Sequence, residues 1–136
     1  MLIIAVSQKG QGQILTKDEV GIVIKRYRFI IRAIKENLPQ AVFYSGKRKQ
    51  IIEITEEVKS ICKFIQIIYE NEVDEWVRSM IKCLLQGRKD TYIIRTKDCS
   101  KNLFYARKSA FLGKLFNLCI YNNLVTYEEI LEEKIA

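Results

Sequence analysis

Asp98-Cys99-Ser100-Lys101-Asn102-Leu103-Phe104-Tyr105-Ala106-Arg107-Lys108 carries the strongest helix signal of this chain, a turn running into a basic helix. Ser100 is suited to an N-cap, because its hydroxyl can accept from a first-turn amide that otherwise lacks a partner. Residues 101–119 then carry helical periodicity with distinct faces. Projected at about 100° per residue, Phe104, Phe111, Leu115 and Leu118 fall into one apolar stripe. Opposite them lie Asn102, Ala106, Ser109, Gly113 and Asn117, all small or hydrogen-bonding, while Lys101, Tyr105, Arg107, Lys108 and Lys114 lie elsewhere around the wheel. An apolar back with a small, polar front and cationic borders is what a helix lying in a nucleic-acid groove requires.

Working backwards, Lys97–Cys99 reads as a tight turn, and Arg88 to Lys97 as a short helix with Tyr92, Ile93 and Ile94 apolar. Gly87 is a C-cap ending a helix that starts near Glu72. That helix carries Val73, Trp76, Val77, Met80, Ile81, Leu84 and Leu85 on its inner side, with Trp76 expected in the core. Glu70-Asn71 breaks the preceding pattern. Residues 40–54 admit two readings, a hairpin with the basic tip Gly46-Lys47-Arg48-Lys49 or a loop leading into a helix from near Lys49. We favour the second, because Val58, Ile61, Ile65 and Ile68 continue a helical stripe to Tyr69, with Glu53, Glu56 and Glu57 near its start, where the macrodipole favours them. Further upstream, Thr16-Lys17-Asp18-Glu19 is a capping box opening a basic helix, and Leu38-Pro39 closes it. Residues 1–6 fit a short strand or an N-terminal arm, followed by a turn over Gln8–Gln13. At the other end, Thr126-Tyr127-Glu128-Glu129 is a second capping box, opening an acidic helix to about Lys134.

The expected fold is all-α: five or six helices with a C-terminal helix-turn-helix over 72–120, and a short N-terminal strand or hairpin as the one non-helical element. Residues 1–48 read as an N-terminal arm and basic helix, and residues 49–136 as the helical core, the two forming one compact unit.

Charge distribution narrows the function. The net charge of +7 is laid out in blocks: +7 over residues 1–50, −5 over 51–75, +8 over 76–119 and −3 over 120–136. Two basic blocks around an acidic one create a directional field, for which a polyanion is the natural partner, although a solvated basic surface has the same composition. Helix 101–119 then supplies the candidate base contacts Lys101, Asn102, Tyr105, Ala106 and Ser109. Asn102 suits adenine, Lys101 guanine and Ala106 a thymine methyl. Arg88, Lys89, Arg95, Lys97, Ser100, Arg107, Lys108 and Lys114 are the candidate phosphate contacts, which position without specifying.

Other chemistries lack their residues. The chain has no histidine, and Cys62, Cys83, Cys99 and Cys119 stand 21, 16 and 20 residues apart, without the close pairs of a zinc site. No catalytic residue, metal or cofactor is expected. Gly10-Gln11-Gly12 lacks the third glycine of a nucleotide loop, and no Gly-x-Ser-x-Gly is present. The acidic groups Glu56/Glu57 and Glu70/Glu72/Asp74 are explained by helix starts and solvated faces, so an enzyme is not expected. No run of about 18 uncharged apolar residues predicts a membrane span, and no signal peptide is recognisable, so a cytoplasmic location is expected.

The pattern Ser100, Phe104-Tyr105, Lys108, Phe111-Leu112 and Leu115, with Ile65-Gln66-Ile67-Ile68-Tyr69 and Trp76-Val77-Arg78-Ser79-Met80-Ile81 upstream, resembles phage-encoded late transcription activators of the ArpU/RinA type. Those are themselves similar to the promoter-binding helix-turn-helix of sigma factors. The likeness covers about residues 55–120 and departs at Leu103, where the family often carries threonine. It implies promoter binding on double-stranded DNA, with RNA polymerase and a second copy of the chain as further candidate partners. The competing expectation is a small phage or mobile-element protein-interaction module, an inhibitor or adaptor of a host nucleic-acid-binding protein, using the acidic segments 53–75 and 127–133. Recognition of single-stranded RNA would call for clustered exposed aromatics, and Tyr27, Tyr44, Tyr92 and Tyr105 form no such group in the sequence.

Overall fold

The apolar stripes read from the sequence do become helices, but two other elements take forms set by their packing. A computed structural model describes residues 2–3 and 17–122. In chain order these form β1 (Leu2–Ile3), α1 (Lys17–Lys25), α2 (Tyr27–Lys35), β2 (Gln40–Ser45), β3 (Arg48–Glu53), α3 (Glu56–Asn71), α4 (Glu75–Leu85), α5 (Asp90–Lys97) and α6 (Lys101–Tyr121). The fold is mostly helical but not all-α. The Gln8–Gln13 turn, the box at Thr16 and the acidic helix from Thr126 lie outside the described residues.

Residues 40–53 are a hairpin, which corrects the loop-and-helix reading. Gly46 takes φ +63° at the first position of a two-residue turn while Lys47 keeps a negative φ, the arrangement in which a type II′ turn places glycine. Val42, Phe43, Tyr44, Ile51 and Ile52 are branched or aromatic residues that suit a pleated surface. Pairing runs antiparallel from Ser45 opposite Arg48 to Gln40 opposite Glu53. β1 adds to the far side of β3 in parallel, Leu2 opposite Gln50 and Ile3 opposite Ile51, giving the order β1-β3-β2. The next helix begins only at Glu56, where Thr55 Oγ1 accepts from the Val58 amide at 3.2 Å. The boundary expected at residue 48 therefore falls on the first residue of β3.

The helix expected to run unbroken from residue 16 to 38 bends at Arg26, whose φ and ψ are −107° and 18°. Neither glycine nor proline stands there. The Arg26 carbonyl accepts from both Phe29 and Ile30 amides at 3.1 Å, so the hydrogen-bond ladder tightens and the chain turns. The bend brings α2 onto β2: Phe29 stacks on Phe43 with centroids 5.4 Å apart, and the Arg26 guanidinium lies 4.3 Å from the same ring.

Three helices end alike, each on a left-handed residue. After α2 it is Asn37 at φ 55°, with Leu38 N donating to Ala33 O at 2.9 Å; this stops the helix before Pro39 has any part in it. After α4 it is Gly87 at φ 78°, as expected from the sequence, with Arg88 N donating to Cys83 O at 3.1 Å. After α5 it is Asp98 at φ 50°, with Cys99 N donating to Ile94 O at 3.3 Å. α4 starts later than expected, because Asp74 caps it by accepting from the Trp76 and Val77 amides. Val73, expected on the inner side, consequently precedes the helix and is 93 % exposed.

Buried side chains from α1 through α6 form one cluster, including Val20, Ile30, Phe43, Ile52, Ile61, Ile65, Met80, Ile93, Phe104 and Leu115. α6 packs chiefly along α3 and touches α4. Gly87 tests this frame. Gly87→Ala should lower unfolding free energy by about 1–2 kcal/mol for the left-handed backbone alone, and more where the added methyl displaces Arg28, which donates to Gln86 O beside it. Asp98→Gly should be neutral or stabilising. Urea unfolding measures both, and a neutral Gly87→Ala would contradict this turn.

Candidate nucleic-acid interface

Ser100 performs the capping expected of it: its Oγ accepts from the Leu103 amide at 3.1 Å, and α6 follows without interruption for 21 residues. The buried stripe is Phe104, Phe111, Leu115 and Cys119. Cys119 takes the place expected for Leu118, which is half-buried, a shift of one position around the same face. Phe104 and Leu115 are fully buried. With the back thus committed, the opposite side is left to solvent: Asn102, Ala106, Ser109, Gly113 and Asn117 are all exposed. Lys101 and Tyr105 are exposed beside them, the Tyr105 ring standing edge-on to Phe104 at 5.1 Å. The five residues nominated for base contact therefore share the outward side of the first turns of α6.

The eight nominated phosphate contacts divide into two kinds. Several cations are already engaged within the fold. Arg107 donates to Asp74 Oδ2 at 3.0 Å, Lys108 donates to both oxygens of Asp90 at 3.0 Å, and Lys114 lies 3.8 Å from Glu72. Lys97 donates to Ser79 Oγ at 2.6 Å, and Arg88 lies over the Tyr92 ring at 4.7 Å. Lys89 and Arg95 are exposed and make no ion pair among the described residues, and Ser100 is exposed at the helix start.

Sequence reasoning missed the partners. Asp74 and Asp90 stand at helix starts, and Glu72 in the preceding connection, where local electrostatics suffices to explain them. Their second role is to hold the flanks of α6, and no local spacing announces a pair 33 residues apart. Trp76, expected in the core, is half-buried on α4. Its ring meets Lys97 Nζ at 5.1 Å and the Arg107 guanidinium at 5.7 Å, so it bridges α5 and α6. These exposed or half-exposed pairs contribute modestly to stability; their main effect is to fix where each cation sits.

Between α1, the α4–α5 turn and α6 lies a groove of about 510 Å³ with Ile24, Leu84, Phe111 and Leu112 on its walls and Lys25 and Lys89 among its polar lining. All four cysteines are free, and burial pushes the Cys62 thiol up to about 12 and that of Cys119 to about 11. Both are protonated at neutral pH, a form that is neither nucleophile nor metal ligand. Among the described residues, no three cysteine or carboxylate side chains gather as a metal site, and no helix is long and apolar enough to cross a membrane.

Asp74 carries a measurable signature. The hydrogen bond from Arg107, then those from the Val77 and Trp76 amides, hold its carboxyl below the usual carboxylate range. A carboxylate lowered in the folded state stabilises above its ordinary titration value, and that contribution disappears as pH falls through the lowered one. A carboxyl titration followed by NMR should place Asp74 below its free value, and Arg107→Ala should raise it; an unchanged midpoint would mean that the ion pair does not form. Comparison with family models, with curated proteins and with solved structures finds no match.

Proposed function

We propose that this protein is a sequence-specific double-stranded-DNA-binding transcriptional regulator of phage or mobile-element type. In this reading α5, the Asp98–Ser100 turn and α6 act as a helix-turn-helix, with α6 entering the major groove and working within the bacterial or phage-infected cell. The observation that carries the reading is the exposed row Asn102, Ala106, Ser109, Gly113 and Asn117 on a helix anchored from behind. Small side chains allow close approach, and Asn102, with its amide donor and acceptor, matches the adenine edge. Lys89, Arg95 and Lys101 would meet phosphates or a guanine first, since none has an ion-pair partner among the described residues to give up. Arg107, Lys108 and Lys114 would exchange an internal carboxylate for a phosphate, which lowers their net gain. The resemblance to ArpU/RinA-type activators supports promoter binding, with RNA polymerase as a candidate contact and a homodimer as a candidate assembly.

One observation favours a second reading, a protein-interaction module. The apolar groove with Lys25 and Lys89 in its lining suits an acidic amphipathic segment of a host protein. Leu112→Glu would abolish that contact while leaving the exposed row of α6 intact.

Affinity for duplex DNA should fall steeply between about 50 and 200 mM salt. Lys89→Ala and Arg95→Ala should weaken all duplexes alike and each reduce the salt slope by about 1. Asn102→Ala should cost about 1–3 kcal/mol of discrimination at one base pair with little change on random DNA. Fluorescence anisotropy on selected and random duplexes measures all three, and indifference to every substitution would overturn the groove assignment.

A further inference from the structure

The β2–β3 hairpin tip has no role in the α6 reading, yet it concentrates charge more densely than any helix of the fold. Lys47, Arg48 and Lys49 are consecutive and exposed, and none makes an ion pair among the described residues. No aspartate or glutamate occurs anywhere between Asn37 and Ile52, so the sequence supplies no carboxylate nearby. Elsewhere on the molecule Arg107, Lys108 and Lys114 each face a carboxylate.

Geometry distinguishes this tip from a basic tail. The two-residue turn and the pairs Ser45–Arg48 and Tyr44–Lys49 hold it as a ribbon. Ala41, Phe43, Ile51 and Ile52 are buried at its base, and Phe43 is held by stacking on Phe29 and by the Arg26 guanidinium over its ring. Successive residues of a strand point to opposite faces, so Arg48 and Lys49 emerge on the two sides of the ribbon, with Lys47 at its apex. Tyr44, cross-strand from Lys49 and 67 % exposed, adds a hydroxyl to the Lys49 side. A tip with cations on both faces and at its end matches a groove walled by two phosphate strands. Beyond the β1 pairing at Gln50 the tip, Tyr44–Lys49 and Ser45–Arg48, is a two-stranded ribbon narrow enough to enter the major groove.

We infer that the Lys47–Lys49 tip is a second nucleic-acid contact, a ribbon that enters a duplex groove and meets backbone phosphates on both walls through Arg48 and Lys49. This rests on the duplex-binding reading above but not on the assignment of α6. The contacts position and do not specify, so they add affinity on any duplex and leave base preference to another element. Because the ribbon is preorganised, its charges reach the phosphates with little ordering cost.

The test uses the full chain with a labelled random-sequence duplex and a selected one, titrated across a salt series. Arg48→Gln and Lys49→Gln should each lower the slope of log affinity against log salt by about 1, and the triple Lys47→Gln/Arg48→Gln/Lys49→Gln change by about 2–3. The reduction should be equal on both duplexes. All three positions are exposed, so helical circular dichroism should stay at the wild-type value, and the single variants provide the readout should the triple one misfold. An unchanged slope in the tip variants, while Asn102→Ala still alters sequence preference, overturns the hairpin contact and leaves the α6 reading standing. A lowered slope with no effect of Asn102→Ala, Lys89→Ala or Arg95→Ala supports the hairpin contact and removes α6. Absence of any duplex binding by the wild-type chain, including the case where the tip captures only an acidic protein, overturns both.

Discussion

The outward face of α6 exists because its other side is buried against α3. Phe104, Phe111, Leu115 and Cys119 occupy one line along the helix, and once that line is buried the rotation of α6 about its axis is settled. Burying each large apolar side chain contributes about 1.5–3 kcal/mol, several times what an exposed ion pair supplies. Rotation is therefore a matter of hydrophobic burial. The pairs Arg107–Asp74, Lys108–Asp90 and Lys114–Glu72 settle the remaining freedom, the position of α6 over the starts of α4 and α5. Lys108–Asp90 is the least exposed of the three and constrains that position most.

Those pairs also reshape the electrostatics. Counted along the chain, residues 76–119 are the most basic block, but three of their cations face carboxylates, Asp74 and Glu72 being drawn from the neighbouring acidic block. Among the described residues, those that make no ion pair include Lys89, Arg95, Lys101 and the cations at the far end of the hairpin. The formal block charges describe the chain well and the folded surface less well. Where a polyanion would bind depends on which cations the fold has already neutralised.

Much of the helical architecture was legible in the residues themselves because its causes are local. The Ser100 cap, the Gly87 terminator, the stripes on α3 and α4, and the five small or polar positions facing away from Phe104 all follow from spacing within a few turns. The bend at Arg26 was not legible, since its cause is the packing of Phe29 on Phe43, 14 residues away. Asn37 and Asp98 end helices in a conformation that asparagine and aspartate tolerate, a weaker signal than the glycine at 87. At residues 40–54 the helical stripe from Val58 onward competes with the turn signal of Gly46 followed by one residue between two branched-aromatic runs. The turn signal prevails because the stripe begins only after the Thr55 cap. The Glu70/Glu72/Asp74 group reads in the sequence as helix-start and solvated acids, and only the folded chain brings Arg107 to Asp74 and Lys108 to Asp90. Trp76 follows its apolar neighbours in packing, but its ring also meets Lys97 and Arg107, which no local spacing announces.

That last arrangement makes the molecule self-reporting. Trp76 is the one tryptophan of the chain and sits on α4, with a cation from α5 and a cation from α6 near its ring. Indole emission responds to charge placed over the ring, so any rearrangement among these three helices, by ligand, partner or temperature, changes the colour or intensity of a single intrinsic fluorophore. No dye or added label is required to watch α6 move.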